Sequence, residues 1–324
     1  MSIRFSVLIP TFNRTELLRE TIESVLAQSF QNYELIVVDD GSTDRTWDLL
    51  QSYGTRVKAL RQSNQGPEVA RNLGAAHATG EYLALLDSDD LLLPNALATY
   101  DQVIRECDSP VLIIGAVEYF NHARPWSECT NGLPDNIEVL KYRDFLSKEV
   151  GVVLSSSNVL IRKTAFVRGG GLRISTPATY QVDTYATVLR FGTAGPCVVM
   201  KKPATVAYRM HDGNTVNNLA AMINAMNLLI AEERQGQFPG GRARRFGRYV
   251  CLGGWTIFWV RNSADGKLIY QTDSRPVTPG KYRMKLDGKR LGNILYGKAT
   301  ITGPDGADVV RQFLGDVETV GKRP

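Results

Sequence analysis

Two groups of acidic residues stand out by type and spacing. Asp39 and Asp40 follow an apolar run, Glu34 to Val38, just before Gly41, and Asp87, Asp89 and Asp90 follow another, Tyr82 to Leu86. Carboxylates crowded in this way repel one another unless a cation joins them. The Asp87-Ser88-Asp89 spacing offers hard oxygen ligands of the kind Mg2+ or Mn2+ takes, with the remaining ligands supplied by water or by a substrate's phosphates. Aspartate is equally a turn and cap residue, and the stretch from Asp87 to Asp90 alone does not choose between the two roles.

The elements that must position these acids are legible around them. Ser6 to Pro10 is a short β-prone run, and Asn13 followed by Glu16 has the form of a capping box opening a helix through Leu17, Leu18, Ile22, Val25 and Leu26. Glu34 to Val38 is apolar without alternation, the pattern of a strand buried on both faces inside a parallel sheet. Asp44 to Tyr53 reads as helix, Val57 to Arg61 as strand, Pro67 to Ala78 as helix with proline at its first position, and Tyr82 to Leu86 as a further buried strand. This alternation predicts an α/β fold with a mostly parallel central sheet, with ligand sites at the carboxyl ends of its strands.

Beyond this half the expected elements are a helix over Pro94 to Glu106, a strand over Val111 to Phe120, an irregular stretch from Asn121 to about Asp135, strands at Ser157 to Ile161, Val198 to Met200 and Thr205 to Tyr208, and a helix over Thr184 to Phe191. Gly213 to Glu233 carries Leu219, Met222, Ile223, Met226, Leu229 and Ile230 at helical spacing, a core-facing stripe. Past Arg261 come the short β-prone runs Lys267 to Thr272, Lys281 to Leu286 and Lys298 to Thr302. They are punctuated by Asp265-Gly266, Asp287-Gly288 and Asp305-Gly306, which read as turns. The expected organisation is a first domain over 1–212 with halves of about 1–115 and 116–212, a helical segment over 213–261, and a small β-rich appendage over 262–324.

The stretches SVLIPTFNR, ELIVVDDGSTDRT and GPEVARNLGAAHATGEYLALLDSDD resemble, in order and spacing, the family 2 glycosyltransferases of the GT-A fold. The likeness is strong over residues 5 to 100 and weaker over 150 to 212. It implies transfer of a sugar, with inversion, from a nucleotide-diphosphate donor, commonly a UDP-sugar, to a hydroxyl of a glycan or lipid-linked acceptor of the cell envelope. It places Pro10, Thr11, Asn13, Arg14, Asp39, Asp40, Arg71, Asp87 and Ser88 against the nucleotide sugar. Within that set Asp40 faces the base, Asp39 shapes the turn, Arg71 leans on the nucleotide or diphosphate, and Asp87 reaches the ribose. Asp89 is implied to hold a divalent cation, Mn2+ or Mg2+, and His211, the last residue of Tyr208-Arg209-Met210-His211, to contact that metal or the diphosphate, with Tyr208 and Arg209 in the same wall. Gly169, Gly170 and Gly171 resemble the glycine-rich stop before the acceptor segment. Asp183 aligns with the general base, but where the family commonly shows a Glu-Asp pair this chain has Val182 before the acid and Thr184 after it, and a shift of one residue would put Thr184 in that place. The departure leaves a second reading, a catalytically impaired binding or scaffold protein on the same fold.

Composition bears on the partners. The chain has 324 residues, 43% hydrophobic and 22% charged, which disfavours disorder and fibrous repeats. Cys107, Cys129, Cys197 and Cys251 are scattered, the pattern of reduced thiols. No apolar leader precedes the first strand, and the run Tyr249 to Val260 is too short to span a bilayer, which needs roughly 20 residues. The expected place is the cytoplasm, with peripheral contact at the inner face of the plasma membrane left open. The net charge of +5 suggests an anionic partner. Residues 234–261 hold six arginines and no acid, so the rest of the chain is nearly neutral and no nucleic acid is expected. That basic-aromatic segment could lie on an anionic membrane, or it could pack its aromatic residues on the catalytic domain and show its arginines to water. An oligomer is left open. A nucleotidyltransferase, the rival enzyme class, would show an early glycine-rich phosphate loop, whereas the first strand here runs into Pro10-Thr11-Phe12-Asn13-Arg14.

Overall fold

A computed structural model describes residues 3–120, 136–147, 153–173, 182–211, 214, 219–245, 247–248, 251–252, 283–291 and 294–302. The chain divides into two compact units, Met1–Ser175 with Asp183–Gly213, and Thr176–Val182 with Asn214–Pro324. The expected stretches Asn121 to Asp135 and Lys267 to Thr272, and the pairs Asp265-Gly266 and Asp305-Gly306, lie outside the described residues.

The first unit is built on a nine-stranded sheet. Strands β1 (Phe5–Thr11), β2 (Tyr33–Asp39), β3 (Lys58–Arg61) and β4 (Tyr82–Leu85) lie in the order β3-β2-β1-β4, all parallel. Helices α1 (Thr15–Leu26), α2 (Thr46–Ser52) and α3 (Pro67–His77) make the crossovers. β1 is buried along its whole length, and Val7, Ile9, Val37 and Ala84 join Leu18, Ile22 and Val25 of α1 in one core. Each large apolar side chain so removed from water contributes about 1.5–3 kcal/mol.

Beyond β4 the sheet is mixed. It continues through β8 (Val159–Arg162), β6 (Leu112–Phe120), β9 (Cys197–Arg209) and the two-residue β5 (Leu91–Leu92), with β7 (Glu138–Tyr142) also paired to β9. β6 and β9 are parallel, whereas β4–β8, β6–β8, β5–β9 and β7–β9 are antiparallel. The parallel sheet read from the sequence therefore describes the first half. Helices α4 (Ala96–Glu106), α5 (Lys163–Arg168) and α6 (Val182–Arg190) complete the unit. The two runs expected at Val198 to Met200 and Thr205 to Tyr208 form one strand, because Lys202, inside what reads as a break, pairs with Glu138 of β7 across a register shift, and both lysines stay in solvent. The β6–β9 register shifts around Gly115, where an added Cβ would lie 2.2 Å from the Tyr100 hydroxyl and 2.4 Å from that of Thr205. Those two buried hydroxyls share a 2.6 Å hydrogen bond, and only glycine leaves room for it.

In the second unit α7 (Leu219–Gln235) carries the expected stripe, with Met226 and Leu229 fully buried. Strands β10 (Arg283–Leu291) and β11 (Ile294–Thr302) form an antiparallel hairpin. Asp287-Gly288, expected as a turn, lies inside β10 opposite Lys298 and Gly297, and the chain reverses between Leu291 and Ile294. Nine cross-strand pairs outweigh the local turn preference.

In the basic segment Arg234 and Arg242 are exposed, as one of the two expectations had it, and Arg248 differs. Arg248 is 1% exposed and embraces Glu233, itself 1% exposed, while also donating to the carbonyls of Pro239 (2.6 Å) and Gly241 (2.9 Å). Arg245 donates to the carbonyls of Glu233 and Arg234 at the end of α7. Orphan carbonyls at a helix C-terminus attract cations, which accounts for Arg245, half-buried there, while Arg248 alone faces inward, held by Glu233. Glu233→Ala is expected to strand a buried guanidinium and cost about 3–5 kcal/mol, read as a loss of thermal stability. An unchanged melting temperature would show the pair to be dispensable.

Candidate active site

The parallel strands deliver their last residues to one edge. Thr11 lies beside Asp39 in the β1–β2 register, and the Asp40 amide donates to the Thr11 carbonyl at 2.8 Å. Gly41 turns the chain at φ +79°, with an added Cβ only 2.9 Å from the Asn64 amide nitrogen. Asp39 is wholly buried; one oxygen accepts from the Ser42 amide at 2.9 Å and the other lies 3.1 Å from Arg61 Nε. Asp40 accepts from Gln62 Nε2 (2.7 Å) and from the amides of Gln65 (2.9 Å) and Gly66 (2.8 Å), so it shapes the loop that opens α3. The buried Thr11 hydroxyl finds no hydrogen-bond partner among the described residues.

Asn13 is not the helix cap that its spacing to Glu16 implied. α1 begins at Thr15, its N-cap Arg14 makes no side-chain capping bond, and Asn13 adopts φ +51°. The Asn13 carboxamide oxygen instead accepts from the Thr43 amide at 2.8 Å, and its own amide donates to Ser42 Oγ at 2.9 Å. A left-handed asparagine aimed at the neighbouring loop cannot also reach the third residue of its own helix. It ties the exit of β1 to the exit of β2. Pro10 sits in β1 opposite Val38.

The second group forms a tight turn after β4. Asp87, Asp89 and Asp90 can each bring an oxygen within 4.8 Å of the others'. Asp90 is the structural member: it accepts from Ser157 Oγ at 2.6 Å and from the Arg209 amide at 2.9 Å. Burial, with the charges of Asp89 and Asp87, holds its carboxyl well above the usual range. Ser88 is buried in the same turn. Asp89 Oδ2 pairs with the Arg14 guanidinium and lies 3.1 Å from His211 Nε2, while its carbonyl accepts from Arg209 Nε at 2.8 Å. Arg209 also reaches Glu20 at 2.5 Å and stacks on Phe120.

Arg71, on α3 and almost wholly buried, joins the two halves of the unit. One end of its guanidinium pairs with Asp87 and the other with Asp183 Oδ2 at 3.1 Å, while its buried Nε makes no hydrogen bond among the described residues. Asp183 stands in the first turn of α6, buried. Burial pushes its carboxyl up to about 6, against the lowering effect of Arg71 and with Glu68 and Asp87 adding to the rise. Burial likewise raises Asp87, opposed by Arg71 and helped by Asp89. Thr184, the alternative at this position, bonds Ser156 Oγ at 3.0 Å. The glycines at 169–171 follow α5, and their carbonyls at 169 and 171 accept from Arg190. Ser157 and Glu68 carry no local motif in the sequence, and Arg14 gave no sign there of facing Asp89.

A divalent cation fits this arrangement. Two ligand atoms on adjacent corners of an octahedron with bonds of about 2.1 Å lie about 3 Å apart, and Asp89 Oδ2 and His211 Nε2 already stand 3.1 Å apart. Together they present one carboxylate oxygen and one imidazole nitrogen.

A half-parallel, half-mixed sheet with acids crowded on its carboxyl edge is the architecture of the GT-A fold, which solved glycosyltransferase structures share. The family model described as glycosyl transferase family 2 matches residues 6–169, and the chain belongs to that family. It is 32% identical over 168 residues to glycosyltransferase GlyG of Streptococcus pneumoniae serotype 4, covering 51% of this chain and 56% of that protein. It is 37% identical over 221 residues to a glycosyltransferase of Rickettsia typhi, covering 65% of each. The chain thus spans little more than half the length of GlyG. Its fold is similar to that of Staphylococcus aureus TarS residues 1–349, with a TM-score of 0.61 at 20% identity over 81% of this chain and 74% of that one. It is also similar to the mannosyltransferase PcManGT of Pyrobaculum calidifontis, solved with GDP-Man and Mn2+, at a TM-score of 0.51 and 18% identity, covering 82% of this chain and 76% of that one.

Proposed function

We propose that this glycosyltransferase moves a sugar, with inversion, from a nucleoside-diphosphate donor to a hydroxyl of a glycan or lipid-linked acceptor, with Asp183 as general base. UDP is the favoured nucleotide, since TarS has been solved with UDP-GlcNAc. The observation that carries the reading is Arg71, whose single guanidinium holds both Asp87, on the donor side, and Asp183, on the base side. Thr11, Asp39 and Asp40 line the nucleoside end, with the Thr11 hydroxyl left for a ligand, and Pro10, Asn13 and Ser88 hold that edge in shape.

The Asp183 carboxylate takes the proton of the acceptor hydroxyl as that oxygen forms its bond to the anomeric carbon. The bond from that carbon to the diphosphate oxygen breaks on the opposite face, its electron pair leaving with the nucleotide. The proton then passes from Asp183 to solvent. Asp89 and His211 would hold Mn2+ or Mg2+, which when bound supplies positive charge beside the departing diphosphate.

Thermal stabilisation by a panel of nucleotide sugars, with and without Mn2+, tests the donor half of this reading. A donor at about 100 times its dissociation constant adds about 2.7 kcal/mol to stability. A UDP-sugar is expected to raise the melting temperature only when the cation is present. No shift with any nucleotide sugar would overturn the assignment.

A further inference from the structure

We infer that Arg14 is an internal counter-cation of the Asp89–His211 pair, holding Asp89 Oδ2 while no metal is bound and giving it up when a divalent cation arrives. The inference rests on the metal reading above and adds to it an exchange built into this chain. Arg14 and His211 meet the same oxygen: the guanidinium pairs with Asp89 Oδ2, and His211 Nε2 lies 3.1 Å from it. A cation bound between that oxygen and that nitrogen would set two positive charges against a third on one carboxylate. The guanidinium is the group that can leave.

The surroundings support exchange rather than permanent pairing. The Arg14 backbone is pinned, its amide donating to Thr46 Oγ1 at 3.3 Å and its carbonyl accepting from the Leu18 amide at 2.9 Å. Its side chain is 36% exposed, so water is at hand when the head group swings out. Asp89 is its one side-chain partner among the described residues. The other arginines of the site are committed elsewhere: Arg71 to Asp87 and Asp183, and Arg209 to Glu20 and to the Asp89 carbonyl. Among the described residues, Arg14 is therefore the arginine on Asp89 Oδ2 that is able to move away. Once displaced, the guanidinium is free to meet the diphosphate of a donor bound at this edge, so the cation is expected to bind before the nucleotide.

Mn2+ titrations of the donor-free protein, followed by electron paramagnetic resonance, test this in wild type, Arg14→Gln, Arg45→Gln and Asp89→Asn. Arg45 adjoins Thr46 and is exposed, so its variant removes a nearby positive charge without touching Asp89. Arg14→Gln is expected to bind Mn2+ about tenfold more tightly than wild type, the scale of one lost charge-assisted bond. Arg45→Gln should stay within about twofold of wild type, and at saturating Mn2+ Arg14→Gln should bind UDP more weakly. An Arg14→Gln affinity equal to or weaker than wild type would overturn the exchange, with the metal site intact so long as Asp89→Asn weakens binding. Equal tightening in Arg45→Gln would reduce the effect to general charge and also overturn it. If wild type binds no Mn2+, the metal reading falls and the exchange with it.

Discussion

Asp183→Asn is expected to lower kcat for sugar transfer by about 10²–10⁴-fold, the range that a positioned general base supplies. Asparagine keeps the shape and can still face Arg71, which retains Asp87 as a partner, so the variant should fold; circular dichroism and donor-induced stabilisation check that it does. Thr184→Val is the matched control. It removes a hydroxyl bonded to Ser156 and only 3.5 Å from Asp183 Oδ1, and it should keep transfer within a few-fold of wild type. The reverse pattern, loss in Thr184→Val and activity in Asp183→Asn, would move the base by one residue. Wild-type activity in Asp183→Asn would leave the inverting mechanism without its base, whereas absence of transfer by the wild type itself would return the scaffold reading.

The same residue sets a pH dependence with a definite sign. A base must be ionised to act, and burial raises the Asp183 carboxyl to about 6. The wild-type rate should therefore fall as pH drops through 6, approaching about tenfold per unit below it, and level off above. Replacing Arg71 by Gln removes the positive charge that opposes the rise, so the midpoint of that profile should move to higher pH. A midpoint near the ordinary value for aspartate, 3.8, would show that Asp183 is not the group being titrated.

Asp89→Asn carries the second large effect. The amide retains the volume of the carboxylate and can bond His211, but it cannot supply the charge that a cation needs. A loss of about 10²–10³-fold in kcat is expected, comparable to removing a preorganised group that stabilises a developing anion. Mn2+ affinity should weaken by about tenfold or more, since a carboxylate ligand is replaced by a neutral one. Rates measured across a Mn2+ titration separate the two losses: a binding defect is partly recovered at high Mn2+, a defect in the step itself is not. Wild-type rate and wild-type Mn2+ dependence in this variant would remove Asp89 from the metal site.

Much of this arrangement was legible in the sequence because it rests on short-range patterns. Apolar runs without alternation marked β2 and β4 as buried parallel strands, and an acid at the end of such a run must emerge at the carboxyl edge. The elements that escaped prediction were those whose partners are remote. β5 is two residues long and exists through its pairing with Ala207 and Val206. β7 carries Glu138 and Lys141 in solvent and is held by β9 on one side. Asn13 read as a cap because cap spacing is local, while its actual partner, the Thr43 amide, lies thirty residues on.

The sequence alone determined the family resemblance, the parallel half of the sheet, and the placing of Asp39, Asp40, Asp87, Asp89 and Asp90 at strand ends. Only the tertiary structure decided which charge neutralises which. Arg71 meets Asp183 across 112 residues, Arg14 meets Asp89 across 75, and Ser157 meets Asp90 across 67. Arg248, which the sequence showed only as one of six arginines in a basic run, is buried against Glu233. Strand and helix patterns follow from backbone geometry repeated every two or 3.6 residues, so they are written locally. Ion pairing depends on distance and local dielectric, and these exist only once the chain has folded.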